Sequence, residues 1–303
     1  MAQTRDIQRR IKSVGNTKKV TKAMEMVAAA KMRKAVANVL ATRSYSNLAW
    51  DLVKNLASKT DSKYHPLLHQ KEKNNKVALI LVTSNRGLCG GFNTQIISRT
   101  LEYIKKDQNV EVDLIVLGSK GANFMAKRGV KIVAEFEKLD VTTEVTEIRP
   151  MAKLLINDFI SEKYDKVVLA YSDFVSTLVQ KPRVLELLPI TNTQADEDLG
   201  EVNKSKNQEI KESNSVEDYE YLFEPSPDKV LSELLPRLIE MQIYQAILES
   251  DASEHSARMV AMRNATDAAT DMISELTLVF NKARQASITA ELADISGGRL
   301  AME

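Results

Sequence analysis

The sequence has 303 residues, 44% of them hydrophobic and only 5% aromatic, with a formal net charge of +1. This composition is typical of an ordinary globular protein. It excludes a membrane-spanning chain, because no run approaches the roughly 18 consecutive apolar residues that cross a bilayer, and one cysteine, Cys89, excludes an intramolecular disulfide.

Charge is distributed unevenly along the chain. Residues 1–60 contain 13 Lys and Arg against 3 Asp and Glu, whereas residues 196–224 contain 10 acidic residues against 3 Lys. A basic helix can bind nucleic acid, but these basic residues surround a segment that also carries a continuous apolar stripe. We therefore expect a solvated face or an acidic protein partner, and no nucleic acid. The start of the chain is charged and unlike a signal peptide, which predicts a cytoplasmic location.

The first predicted element is one long helix over residues 1–60. Apolar residues recur there with a period of 3.5 to 3.6 from Ile7 to Leu40, and no proline interrupts them. Small residues would allow a partner helix to approach closely; they are Ala28, Ala29, Ala30, Ala35 and Ala37.

The middle of the chain, 75–195, predicts an α/β domain with an open, mainly parallel, Rossmann-like sheet. Continuous β-branched runs, typical of buried parallel strands, occupy 76–83, 112–117 and 166–171. Helical stretches alternate with them at 93–105, 119–128 and 150–162. A further edge strand is expected at 184–190, after Pro182.

Residues 196–227 predict an acidic insertion or loop, and 228–303 a second long helix. Its heptad seam starts at Leu231 and is weakened by polar or small residues such as Gln245. Pro236 predicts a kink or an earlier boundary. Each terminal helix has one apolar stripe that it cannot bury alone. We therefore expect the two to pair as a long antiparallel coiled coil.

The segment Ser84–Asn93, SNRGLCGGFN, is where a phosphate-binding loop would lie, between a strand and a helix. It lacks both the P-loop ending and the dinucleotide glycine pattern. A tight strand-to-helix turn is the favoured interpretation, with Cys89 as a small buried thiol. A nucleotide-dependent enzyme built on this loop stays open as the alternative function.

The other candidate groups favour structural roles. His65 and His69 are four residues apart, but Pro66 lies between them, so no metal site is predicted. His255 falls on the apolar seam and predicts a packed histidine. Glu291 and Asp294 share a helical face, which on an exposed helix is normally a solvated face. No constellation in the sequence predicts catalysis.

Five segments along the whole chain carry a family resemblance. They are NTKKVTKAMEMVAAAKMRKA at 16–35, TSNRGLCGGFN at 83–93, YLFEPSPDKVL at 221–231, SEHSARMVAMRNAT at 253–266 and NKARQASITAELADISGG at 281–298. With these segments in this order, the chain resembles the gamma subunits of F-type ATP synthases of the bacterial type.

The resemblance implies a non-catalytic central rotor stalk that couples rotation of a membrane c ring to ATP synthesis, or ATP hydrolysis to proton pumping. It implies no cofactor. Its partners would be three alpha and three beta subunits, epsilon and the c ring. The location would be peripheral, on the cytoplasmic face of the bacterial inner membrane, with the membrane reached only through the c ring.

The resemblance also implies site residues. Contacts to beta subunits are expected at Lys18, Lys19, Lys22, Met24, Lys31, Arg284, Gln285, Thr289, Glu291 and Asp294. Contacts to the c ring and epsilon are expected at Tyr219, Tyr221, Phe223 and Glu224. Gamma subunits often have a glutamate at the position of Asp294.

Overall fold

A computed structural model describes residues 2–59, 65–69, 75–106, 110–138, 145–190 and 227–300. The helices are α1 (Ala2–Lys59), α2 (Phe92–Lys106), α3 (Ser119–Lys127), α4 (Val145–Ile160) and α5 (Pro227–Leu300), with a 3-10 turn at Pro66–Leu68. The strands are β1 (Lys76–Val82), β2 (Glu111–Leu117), β3 (Ile132–Phe136), β4 (Lys166–Phe174) and β5 (Gln180–Leu188). Contacts divide the chain into two compact units, 1–29 with 258–303, and 30–257.

The second unit contains a five-stranded sheet in the order β3-β2-β1-β4-β5. The first four strands are parallel, and β5 returns antiparallel to β4 at the edge. The sequence dictates this buried centre, because six of the seven residues of KVALILV in β1 are apolar and buried.

Alternate residues of each strand face different helices. On β1, Leu79 and Leu81 pack with the buried faces of α2 and α3. Ala78, Ile80 and Val82 point the opposite way and pack in the cluster that contains α4 and the first part of α5. Side chains alternate across a strand. The sheet therefore has helices on both faces, and α5 is part of its core.

The predicted class, an α/β sheet with long terminal helices, is confirmed, while several boundaries differ. The sequence prediction missed β3, whose alternating half-buried and exposed residues lack a continuous apolar run. Helix α4 begins at Val145 rather than at Pro150. Strand β5 begins at Gln180, so that Pro182 lies within it, where an edge position tolerates a missing N–H. Helix α5 is continuous through Pro236.

Within the second unit, α1 packs against α5. Ala35 and Val39 of α1 form one cluster with Leu248 and Ala252 of α5 and with Phe174 at the end of β4. Nearby, the Thr42 hydroxyl donates a 2.8 Å hydrogen bond to Oε1 of Gln245. The polar residue of the predicted seam is therefore paired across the two helices.

Within the first unit, the two helices meet at Thr21 and Thr266, whose hydroxyl oxygens lie 2.8 Å apart. Thr21 lies in the first half of α1 and Thr266 in the second half of α5. Polar pairs at seam positions specify register.

The buried column of α1 consists of small residues. Thr21, Ala28 and Ala35 follow one another at intervals of seven, with relative exposures of 9%, 2% and 9%. The expectation of small residues at the interface is correct for Ala28 and Ala35. It is wrong for Ala30 and Ala37, which are exposed because they fall on the outer face of the helix.

Among the described helices, none has an apolar stretch that could cross a membrane. The acidic insertion predicted at 196–227 lies outside the described residues, apart from its last position, which begins α5. The predicted division with a foot domain at 75–195 stays a prediction.

Candidate functional site

The turn Ser84–Asn93 has a network of hydrogen bonds among its own residues. The Asn93 amide donates to Oγ of Ser84 at 2.7 Å and to Sγ of Cys89 at 3.3 Å, while its Oδ1 accepts from the Ser84 N–H at 3.1 Å. The Ser84 hydroxyl in turn donates to the carbonyl of Arg86 at 2.7 Å. Cys89 is buried, as expected. This network makes the segment a braced strand-to-helix turn.

The same edge of the sheet is tied to the next strand through Thr83. Its buried hydroxyl lies within donating distance of the carbonyls of Leu117 and Gly118 and accepts from the Gly121 N–H at 3.0 Å. Gly118 has φ +102°, and a Cβ there would collide with the Thr83 carbonyl oxygen. Only glycine permits this approach.

Helix α5 occupies the place where an open α/β sheet usually binds a ligand. Such ligands bind beyond the carboxyl ends of the strands, where the strand order reverses, and here that place lies between β1 and β4. The pairing of β1 with β4 ends at Ala170. Beyond it, the Ser172 N–H donates to Oγ of Ser250 at 3.1 Å, and its carbonyl accepts from the Ser253 hydroxyl at 3.1 Å.

A buried ion cluster joins the end of β3 to α5. Nζ of Lys138 lies 2.6 Å from Oδ1 of Asp251 and 2.6 Å from Oε2 of Glu254, and all three side chains are largely buried. Burial alone would lower the pKa of Lys138. The two carboxylates outweigh it and hold that pKa above its ordinary value of 10.5. Removing one partner of such a cluster costs about 3–5 kcal/mol.

The basic residues predicted on α1 lie on its accessible faces. Lys19 and Lys22 are exposed, while Lys18, Met24 and Lys31 are half-buried. Lys22 pairs with Glu25 at 3.0 Å, an exposed contact one turn along the helix. Lys18, Lys19, Lys22 and Met24 belong to the first unit, whereas Lys31 belongs to the second.

The polar residues predicted on α5 cluster within about two turns. Arg284, Gln285, Thr289 and Glu291 are all exposed. The Thr289 hydroxyl donates to the Gln285 carbonyl at 2.9 Å, and Glu291 accepts a 3.4 Å hydrogen bond from Ser287. The side chain of Asp294 lies outside the described residues, so its expected place on one helical face with Glu291 stays a prediction.

An apolar stripe accompanies these polar residues and was missed by the sequence reasoning. Ile288, Leu292 and Ile295 are 49%, 61% and 70% exposed. Their spacing of four and three residues places them on one face of α5. This spacing was readable in the sequence, but periodicity alone does not distinguish a buried stripe from an uncovered one.

The remaining candidates have structural surroundings or lie outside the described residues. His65 caps the short 3-10 turn, its Nδ1 accepting from the Leu67 N–H at 3.3 Å, and His255 is half-buried. Within the described ranges, no cluster of three or more His, Cys, Asp or Glu side chains could hold a metal ion. The predicted c-ring residues, Tyr219, Tyr221, Phe223 and Glu224, fall outside the described residues.

Comparison with known proteins identifies the family. A family model described as ATP synthase matches residues 3–302. The ATP synthase gamma chain of Pelotomaculum thermopropionicum is 44% identical over 303 residues, covering 100% of both chains. That of Herpetosiphon aurantiacus is 42% identical over 311 residues, covering 100% of this chain and 99% of the other. The chain belongs to the ATP synthase gamma chain family.

Solved structures share the fold of this gamma chain family member. A chain of the Euglena gracilis mitochondrial ATP synthase rotor superposes with a TM-score of 0.63 at 20% identity, covering 95% of this chain and 99% of the other. A chain of the OSCP, F1 and c-ring assembly of the same organism gives a TM-score of 0.65 at 18% identity, covering 99% and 95%.

Proposed function

We propose that this chain is the central rotor shaft of an F-type ATP synthase, transmitting rotation between a membrane c ring and three catalytic beta subunits. Membership of the gamma chain family supports the proposal. The structural likeness is to rotor and central-stalk chains. The shaft would run in either direction, for ATP synthesis or for ATP-driven proton pumping.

The observation that carries the proposal is the exposed apolar stripe Ile288, Leu292 and Ile295 near the end of α5. Apolar side chains on a helix are usually buried against a partner, and contiguous exposed ones indicate an interaction surface. An apolar collar formed by the surrounding alpha and beta subunits would cover this stripe. The stripe then serves as a bearing, since hydrophobic contact is non-directional and permits rotation.

The polar residues beside the stripe would make the contacts that depend on rotation angle. Arg284, Gln285, Thr289 and Glu291 are exposed donors and acceptors on a shaft without threefold symmetry. Each beta subunit would therefore meet a different set of groups. Shifting a subunit from 1:99 to 99:1 between two states requires roughly 5.5 kcal/mol of differential contact energy. A few charge-assisted hydrogen bonds, at about 1.5–3 kcal/mol each, supply it.

We further propose that the chain is not itself catalytic. Two observations support this: the turn Ser84–Asn93 uses its polar groups for its own bracing, and α5 covers the strand ends between β1 and β4. The catalytic step would take place on the beta subunits.

The partners would be alpha, beta, epsilon and the c ring. The basic residues Lys18, Lys19, Lys22 and Lys31, with Met24, would face acidic loops of beta subunits. The segment with Tyr219, Tyr221, Phe223 and Glu224 would contact the c ring and epsilon. A foot domain at 75–195 would then sit at the cytoplasmic face of the inner membrane as a peripheral component.

A double substitution tests the angle-dependent contacts. Thr289→Ala with Glu291→Ala removes one hydroxyl and one carboxylate from exposed positions of α5. We expect ATP synthesis in membranes to fall roughly threefold to tenfold, which corresponds to about 0.7–1.4 kcal/mol of lost contact energy. The amount of chain in the complex should not change, because both side chains are exposed.

The matched control is Thr277→Ala with Glu275→Ala. Thr277 is also exposed and donates to the carbonyl four residues earlier, at 2.7 Å, and Glu275 lies two residues away on the same helix. This pair should leave ATP synthesis within twofold of wild type. Equal synthesis rates for both double variants would contradict the proposed contacts.

A further inference from the structure

We propose that Lys138, Asp251 and Glu254, together with Ser250, Ser253 and Ser256, form a joint that transmits torque between the α/β sheet and helix α5. This inference rests on the rotor function proposed above. It names the contacts at which rotation of the sheet would become rotation of the shaft helix. All six residues lie in the second unit.

Apolar packing alone does not provide such a joint. The first part of α5 buries Leu231, Leu235, Leu238, Ile239, Ile243 and Ile247 in the sheet core. Hydrophobic burial is non-directional. It holds the helix against the sheet, but it fixes no particular pair of atoms, so it constrains rolling less sharply than hydrogen bonds and ion pairs do. Resistance to rolling requires contacts with a fixed direction.

The serines supply directional contacts on one side of α5. Ser250 and Ser253 bond the N–H and the carbonyl of Ser172, and the Ser256 hydroxyl donates to the Thr177 carbonyl at 2.6 Å. Their partners are backbone groups of β4 and of the turn that follows it. These backbone groups cannot yield by changing rotamer, so a roll of α5 beyond what a serine rotamer accommodates breaks the bonds.

The ion cluster supplies a second anchor. Asp251 and Glu254 follow Ser250 and Ser253 by one residue each, about 100° further round the helix, and both reach Nζ of Lys138. The Lys138 backbone is fixed as well, because the Asn85 amide donates to its carbonyl. Asn85 belongs to the braced turn after β1. That turn therefore has a mechanical role in holding Lys138.

The two anchors act on different strands. Lys138 follows β3, and Ser172 lies in β4, three positions away in the strand order. The contacts therefore reach α5 from two different parts of the sheet. Two directional contacts on different sides of one helix oppose its rotation as a couple, which one contact does not.

The test uses the complete ATP synthase in proteoliposomes, with Lys138→Met in this chain. The quantity measured is the ratio of proton-driven ATP synthesis to ATP hydrolysis by the same preparation. We expect hydrolysis to stay within twofold of wild type and the ratio to fall at least threefold. The shaft would still rotate inside the catalytic ring, but α5 would be attached less firmly to the sheet.

The matched control is Lys131→Met. Lys131 also bridges two carboxylates, at 3.2 Å to Glu111 and 2.7 Å to Asp113, but it is exposed and joins strands of the sheet to each other. For Lys131→Met, the ratio of ATP synthesis to ATP hydrolysis should equal that of wild type. The conservative variant Lys138→Arg, which keeps the charge, should recover most of the lost coupling.

A purely structural role for Lys138 predicts a different result. Synthesis and hydrolysis would then fall together, in proportion to the amount of chain incorporated, and this outcome overturns the joint. If the Lys138→Met chain does not incorporate into the complex, the double variant Ser250→Ala with Ser253→Ala provides the test. It removes only two hydroxyls from the joint. A wild-type ratio in that variant overturns the proposal. Wild-type complex that hydrolyses ATP without pumping protons would instead contradict the rotor function itself.

Discussion

At the residue scale, the polar groups at the carboxyl edge of the sheet contribute more to position than to chemistry. Thr83 and Asn85 each connect elements that are distant in sequence, and Asn93 closes the turn onto Ser84, nine residues before it. A buried polar side chain is tolerated only when its hydrogen bonds are made. These residues therefore fix one arrangement of turn, strand end and helix, and the family segment TSNRGLCGGFN gains a structural explanation.

Tyr164 gives a prediction about alkaline pH. Its ring is buried, and its hydroxyl donates to Oδ2 of Asp113 at 3.1 Å. Burial first, and then the neighbouring Asp113 carboxylate, raise the pKa of Tyr164 above 10.0. At a pH between the unfolded and folded pKa values of Tyr164, the folded state binds more protons than the unfolded state. Stability from this group is therefore complete below pH 10 and is lost as the pH rises through the folded pKa.

Tyr164→Phe should therefore flatten the alkaline loss of stability. At neutral pH the variant should be less stable by about 1 kcal/mol, because one hydrogen bond to Asp113 is lost. Above pH 10 its free energy of unfolding should fall less steeply than that of wild type. Urea titrations of the full chain between pH 7 and 11.5 measure both slopes. Parallel curves would show that Tyr164 does not titrate differently in the two states.

At the element scale, close packing of α1 against α5 depends on small side chains at intervals of seven. Ala28 is 2% exposed, whereas Ala30, in the same run of alanines, is exposed. Ala28→Leu inserts three carbon atoms into a filled interface, and overpacking of this kind costs typically 1–3 kcal/mol. Ala30→Leu should change the free energy of unfolding by less than about 0.5 kcal/mol.

Thermal or urea unfolding of the two full-length variants measures this difference. Both substitutions exchange the same residue types within one helix, so their helix propensities cancel. Equal stabilities would contradict the assignment of Ala28 to the interface and Ala30 to the outer face.

The elements also differ in how far the sequence predicted them. Strands β1, β2 and β4 can be recognised in the sequence as apolar runs, because they are buried on both faces. Strand β3 has no such run, since it is a half-exposed edge that depends on pairing with β2. The sequence predicts that α4 starts at Pro150, because proline is favoured at the first position of a helix. The helix in fact begins five residues earlier.

At the scale of the whole molecule, the enzyme alternative and the rotor proposal make opposite predictions for nucleotide binding. The full chain should bind neither ATP nor NAD in isothermal titration, because α5 and the turn Ser84–Asn93 already use the polar groups at the strand ends. The complete ATP synthase, titrated with ATP in parallel, is the positive control. Submicromolar binding to the full chain alone would favour the enzyme alternative.

The sequence by itself determined the two long terminal helices, the apolar central strands and the family, because each is written in local periodicity or in contiguous motifs. The exposed residues near the end of α5 could also be predicted from the sequence, since they lie within one such motif. Only the tertiary structure decided that Lys138 meets Glu254, 116 residues away, and that the serines of α5 bond the backbone of β4. The physical reason is that a buried ion cluster or a side-chain bond to a distant strand has no periodic signature. It exists only once the sheet has brought distant segments together.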